Sequence, residues 1–425
     1  MTNAASIAPR ASKRSGIATA WHNPARQILA VDVLAVLTAA SLPWSTSAVA
    51  VFIVLGLLAL APTLNARAYL RSLNRPVCLL PLLFFALAVV GTLWAEVPWP
   101  ARLHGINPVA KLLVIPALLY HFERSERGAW VFVSFLVSCA LLMVLSWIVL
   151  FAPALKLTAT AYEGVPVKNY IDQSQEFALC MVALAPFVLS LYRQRRFALC
   201  AACTLLMLGF FANLAFVVSA RSALAYIPVM LFLFALVHLS HRASALLFVG
   251  TVIAATIVWS SSAYLRGRVT NTATEYQRYQ QNIPSSTGLR LEYLQKSLKF
   301  FAAAPVLGNG TGSTKQLFGP DATGQVIGNP HNQTLNVAVQ WGLVGVLVLY
   351  AMWLAHLFLF RGYGMANWIG LLVVVQNLVS SLLNSHLFDF HEGWMYVLGV
   401  GIAGGMSLRE RKLAASQGPN SQEIS

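Results

Sequence analysis

The chain has 425 residues, 58% of them hydrophobic and only 10% charged, a balance beyond what a single soluble core needs. Its formal net charge of +15 arises from 29 Lys and Arg against 14 Asp and Glu, and most of that excess sits in short links between apolar runs. This distribution marks an integral membrane protein with many spans and argues against nucleic acid as a partner.

Along the chain, a tail at 1–27 carries Arg10, Lys13, Arg14 and Arg26 before the first apolar run. That run resembles a signal peptide only in its basic flank. No cleavage site leads into a soluble mature domain, so it reads as a retained helix. Nine spans are expected between 28 and 262, at about 28–44, 46–63, 76–95, 107–122, 129–152, 174–192, 197–218, 222–239 and 245–262. Three more are expected between 333 and 407, at about 333–355, 366–384 and 391–407. Each approaches the length that crosses about 30 Å of hydrocarbon. One excursion around LPWSTS in place of the first pair would give eleven spans instead of twelve.

Alternate links and the two termini hold 17 of the 29 basic residues, among them Arg67, Arg71 and Arg75, Arg193, Arg195 and Arg196, and Arg409, Arg411 and Lys412. Positive charge stays on the cytoplasmic side, so both termini, 1–27 and 408–425, are placed there. The closing AASQGPNSQEIS has the composition of a disordered end. Cys78, Cys139, Cys180, Cys200 and Cys203 all lie in apolar segments without a metal-type pairing to histidine, and read as small hydrophobes.

The long outer segment 263–332 exceeds what a bundle connection requires. Within it, LRLEYLQKSLKFFAAAP reads as a helix ended by Pro305, with Leu291, Leu294, Leu298 and Phe301 as its apolar stripe. Arg290 falls at the edge of that stripe. It is either a snorkelling interface anchor or a planar fork aimed at phosphate. Arg221, the single charge in SARSALAY, sits at an outer turn where topology does not call for it and carries the same two readings. Lys168 is a further outer cation that suits an anionic substrate, with a solvated loop as its plainer reading, and Arg266 is another outer cation that could help. GNGTG lacks both the Lys-Ser/Thr and the preceding strand of a phosphate loop, and reads as a helix-terminating turn.

His331, in GNPHNQ, stands at the mouth of the tenth span, where free backbone N–H groups favour anions. A neutral imidazole there suits proton removal from a sugar hydroxyl; a helix-capping residue is the bland alternative. His331-Asn332, nine residues, then Gly342-Leu343-Val344-Gly345 resembles the histidine-led signature of the O-antigen ligase and polymerase superfamily. Arg290 before an amphipathic run and the turn Pro305-Val306-Leu307-Gly308-Asn309-Gly310 resemble the same family's loop.

The resemblance implies an all-α, GT-C-like transmembrane bundle with one large periplasmic loop bearing the catalytic elements. It implies a ligase that moves O-antigen from undecaprenyl pyrophosphate to a sugar of lipid A-core at the periplasmic face of the bacterial inner membrane. A single large loop late in the chain and the segment EGVPVKNYIDQSQEF favour the ligase; a polymerase shares the motif. In this reading His331 is the base, Arg221 and Arg290 hold the diphosphate, and Lys168, Arg266, Asn332 and Asp389 contribute to substrate binding. Asp389, in HLFDFHEGW, is expected to orient His331 or an acceptor hydroxyl, or else to cap a helix. No Asp-x-Asp pair occurs, so no metal and no cofactor is expected. A flippase of lipid-linked sugars is the rival from another class, and it would require ionisable residues deep in several spans.

Overall fold

The computed structural model describes residues 24–281, 286–320 and 328–417. Arg10, Lys13 and Arg14 and the last residues of the C-terminal tail therefore lie outside the described residues. Those described are all-α, without a strand. In chain order the helices are α1 (Pro24–Ser41), α2 (Thr46–Leu60), α3 (Ala66–Leu73), α4 (Pro76–Val90), α5 (Trp99–Ala110), α6 (Val114–Phe122), α7 (Gly128–Phe151), α8 (Tyr170–Arg193) and α9 (Phe197–Phe216). They continue with α10 (Ala223–His238), α11 (His241–Ser261), α12 (Ala263–Gln280), α13 (Ser286–Ala303), α14 (Thr314–Phe318), α15 (Gln333–Leu359), α16 (Met365–Ser380) and α17 (Phe390–Gln417).

Every expected span falls on a helix, with 107–122 carried by α5 and α6 through a 3-10 turn at Lys111–Leu113. Among the described residues, eight helical segments are long and apolar enough to cross a membrane, or nine if α3 and α4, bent by 80°, form one broken span. The expected twelve exceeds this because α10 and α16 have only 16 residues each and α17 opens on His391 and Glu392. The 408–425 tail begins as a continuation of α17, which runs to Gln417.

Elementary rules place the helix ends. Ser45 accepts from the Ala48 N–H (3.2 Å) at the start of α2, and the Asn169 amide oxygen accepts from Ile171 (2.8 Å) and Asp172 (3.0 Å) at the start of α8. Pro81 inside α4 has no N–H for the Val77 carbonyl. His356 of α15 supplies it through Nε2 (3.0 Å), and its Nδ1 accepts from the Tyr396 hydroxyl of α17 (2.5 Å). A buried histidine thus pins three helices together by satisfying an orphaned carbonyl.

Among the described residues, several of the basic side chains counted for orientation meet acidic partners where their links come together. Arg75 makes a two-pronged pair with Glu123 (3.0 and 3.1 Å), Lys412 joins it (2.6 Å), Arg409 pairs with Glu126, and Arg127 reaches Asp32 (3.4 Å).

The segment between α11 and α15 is more helical than expected, because α12 follows α11 after one extended residue, Ser262. The turn after α13 is locked into α15. Asn309 N–H donates to Val339 O (2.9 Å), Gly310 N–H to Gln340 O (2.9 Å) and Gly312 N–H to the Gln340 side chain (2.9 Å), while Leu343 N–H returns to Pro305 O (2.8 Å). Gly342 breaks α15 with φ 60° and ψ −155° to admit this turn, a conformation open essentially to glycine alone. The second half of the histidine-led motif is therefore a socket that fixes α13 against α15. With their N–H groups engaged in the protein, residues 309–312 form the expected turn and have little left for a phosphate.

Candidate active site

Helix α13 sets the geometry. Arg290, Tyr293, Ser297 and Phe300 recur at intervals of three and four, so they share one face. Tyr293 and Ser297 are buried, and Phe300 packs in the cluster of Tyr293, Phe318 and Val339. The expected stripe is the other one: Leu294 and Leu298 are 40% and 52% exposed. Arg290 consequently lies on the side that meets α15, with an exposed head and no ion pair among the described residues.

His331 stacks on Tyr293 with ring centroids 5.8 Å apart and 21° between planes. Its backbone is left-handed (φ 55°), and its N–H donates to the Asn329 side chain (2.9 Å). Nδ1 lies 2.9 Å from Asn384 Oδ1. The Asn384 amide is oriented by its other end, where Nδ2 donates to the Asp389 carboxylate (3.0 Å). A carboxylate accepts only, so Oδ1 must face His331, and Nδ1 must carry the proton. Nε2 is left with its lone pair. Burial, reinforced by the Arg290 charge, holds the His331 pKa below the usual imidazole value, against the opposing effects of the Asn384 hydrogen bond and Asp389. The imidazole is neutral at pH 7, with a defined basic nitrogen.

Arg221 faces a carboxylate. Its guanidinium makes a two-pronged pair with Glu275 of α12 (2.8 and 2.6 Å). The Arg290 guanidinium, partly desolvated by its surroundings, lies within electrostatic reach of Arg221 and Glu275. The structure thus draws together two arginines about 70 residues apart in sequence, and adds an acidic residue between them that the sequence did not single out.

The four expected binding residues divide. Asp389 reaches His331 through Asn384, an intermediate hidden in the short polar run NSHLFD. Asn332 caps α15, accepting from Leu335 N–H (3.0 Å) and donating to Leu382 O (2.9 Å), so both ends of its amide are engaged within the protein. Arg266 turns back to the end of α11 and donates to Trp259 O (2.7 Å) and Ser260 O (2.6 Å), where loose carbonyls attract a cation. Lys168 points into the bundle, donating to Leu42 O and lying 3.2 Å from His391 Nδ1.

Lys168 belongs to a buried polar network that the spacing of charges along the chain did not reveal. His391 Nε2 is 2.7 Å from Glu176, and Lys111 donates to Phe388 O (3.1 Å) and Asp389 O. His386 Nδ1 lies 3.4 Å from both Asp389 and Glu392. His386, Asp389 and Glu392 have their ligand atoms within 4.8 Å of one another, so they are also able to hold a cation. Positive charge is already supplied there. Burial opposes protonation of His386, but the two carboxylates outweigh it and lift its pKa to about 9.

No curated protein matches the chain. Residues 206–350, which run from within α9 to within α15 and include Arg221, Arg290 and His331, match the family model described as O-antigen ligase. Over this stretch, about a third of the chain, the protein is similar to the O-antigen ligase family.

Proposed function

We propose that the protein is an O-antigen ligase of the bacterial inner membrane, acting at the periplasmic end that carries α12–α14. It joins O-antigen from undecaprenyl pyrophosphate to a sugar of lipid A-core. The observation that supports this most is His331: a neutral imidazole with Nε2 free, fixed through Asn384 and Asp389, just before α15 and stacked on Tyr293 of the helix that carries Arg290.

The acceptor hydroxyl oxygen attacks the anomeric carbon of the donor, and its proton passes to His331 Nε2. The bond from that carbon to the phosphate oxygen breaks, and the diphosphate leaves with the electron pair. Attack opposite the leaving group inverts the anomeric centre. Arg290 and Arg221 take the charge of the departing diphosphate, work a divalent ion does elsewhere. Transfer by the purified protein from undecaprenyl-pyrophosphate-linked glycan to lipid A-core in excess chelator is the expected result. Loss of transfer that magnesium or manganese restores overturns the arginine-only account. Elongation of lipid-linked glycan with lipid A-core left untouched identifies a polymerase.

Arg221 meets the diphosphate only by releasing Glu275. Glu275→Gln is therefore expected to lower the donor KM several-fold with kcat little changed, and Arg221→Ala to raise that KM roughly tenfold or more, the scale of a charge-assisted hydrogen bond. Unchanged donor KM in both variants assigns the pair to the scaffold.

A further inference from the structure

A cavity of about 260 Å³ opens between the α4–α5 link and the turn locked into α15. Trp94, Glu96, Asn309, Ser313, Gln316 and Leu317 line it. A flat indole, a carboxylate, two amides and a hydroxyl converge there on a space that admits one sugar ring. Glu96 and Gln316 are exposed at the rim and Ser313 is buried at the base.

The donors and acceptors are already sorted. The Asn309 Nδ2 is held by Phe300 O (3.3 Å) and Val339 O (2.9 Å), which leaves Oδ1 as an acceptor. Ser313 donates to Gly310 O (2.8 Å) and keeps its lone pairs. Trp94 contributes its ring to the wall. Sugar hydroxyls donate and accept, and the C–H face of a pyranose packs on an aromatic ring, so these groups match a carbohydrate better than a lipid tail or a phosphate.

Position decides which glycan. Along α13, Arg290 stands near the start, Tyr293 three residues on stacks on His331, and Phe300, whose carbonyl holds Asn309, lies about 15 Å from Arg290 at 1.5 Å per residue. The cavity wall is tied to the base: Phe318, next to Leu317, packs on Tyr293 (6.3 Å) and Phe300 (5.3 Å). The order is arginines, base, cavity, and the diphosphate lies at the far end. We infer that the cavity is a subsite for one sugar residue of the acceptor glycan, beyond the residue that receives the transferred chain. This rests on the ligase reading, which supplies the acceptor.

The test uses the full-length protein in nanodiscs, with undecaprenyl-pyrophosphate-linked O-antigen as donor and O-antigen-free lipid A-core as acceptor. Trp94 packs against the core, so Glu96→Gln and Gln316→Ala at the rim are the primary variants. Each is expected to raise the acceptor KM about three- to tenfold, one or two neutral hydrogen bonds, with kcat and donor KM unchanged. Core oligosaccharide freed of lipid A should inhibit wild type and inhibit Gln316→Ala less. A rise in donor KM instead reassigns the cavity to the donor glycan and overturns the acceptor assignment; no change in either KM removes the subsite. If wild type transfers nothing, the ligase reading fails, and calorimetric binding of the same oligosaccharide to wild type and Gln316→Ala still decides the subsite by itself.

Discussion

Replacing His331 with alanine is expected to cut glycan transfer by about 10²–10⁴-fold, the range a positioned general base supplies, while donor binding persists through the arginines. Asn384→Ala should reproduce part of that loss, because the base remains but its proton is no longer confined to Nδ1. The pH profile separates this role from a structural one. Since the folded-state pKa of His331 lies below 6.5, transfer should hold level at neutral pH and fall only on acidification through that lowered value. Asp389 raises the His331 pKa and Arg290 lowers it. Asp389→Asn should therefore move the acid limb to still lower pH, and Arg290→Gln should move it up, whatever each does to the maximal rate. A limb that stays in place in both variants, or near-normal turnover without the imidazole, removes His331 from the chemistry.

Gly342→Ala is expected to cost stability and transfer together. The residue sits at φ 60°, and a Cβ there would overlap the Val306 carbonyl. Left-handed strain and overpacking together amount to about 2–5 kcal/mol. Because the break receives the turn that holds α13, the loss should reach Arg290 and Tyr293 as well as the local helix. Gly250→Ala is the control. Nothing stands within 4 Å of a Cβ at that position in α11, so a neutral or slightly stabilising change is expected. Melting temperature and transfer rate measured side by side in detergent decide the matter, and a fully active Gly342→Ala variant refutes the socket.

Much of the architecture was legible in the sequence because the bilayer sets a length scale that apolar runs must meet. The positions of the spans and the helix ended by Pro305 follow from that and from the stop signals. Arg290 and Arg221 stood out because a charge beside apolar sequence is costly without a use. The inward face of α13 was not legible. Lipid is as apolar as a protein core, so an apolar stripe does not say whether it meets the bundle or the bilayer. Leu294 and Leu298 took the outside, and the face with Tyr293, Ser297 and Phe300 took the protein.

The sequence by itself determined that this is an all-helical membrane protein and that a histidine-led motif opens a span, with glycines spaced to follow it. Those facts depend on composition and on local backbone chemistry. Only the tertiary structure decided what each polar group meets. Asn384 reaches His331 across 53 residues, Glu275 reaches Arg221 across 54, and Lys168 turns to His391 across 223. Such partners are chosen by helix packing: burying a polar group without one costs more than the chain-closure entropy of bringing a distant one to it. The same residues spaced alike along another bundle would be anchors and caps, and here the packing gives one of them, His331, an oriented imidazole with Nε2 free.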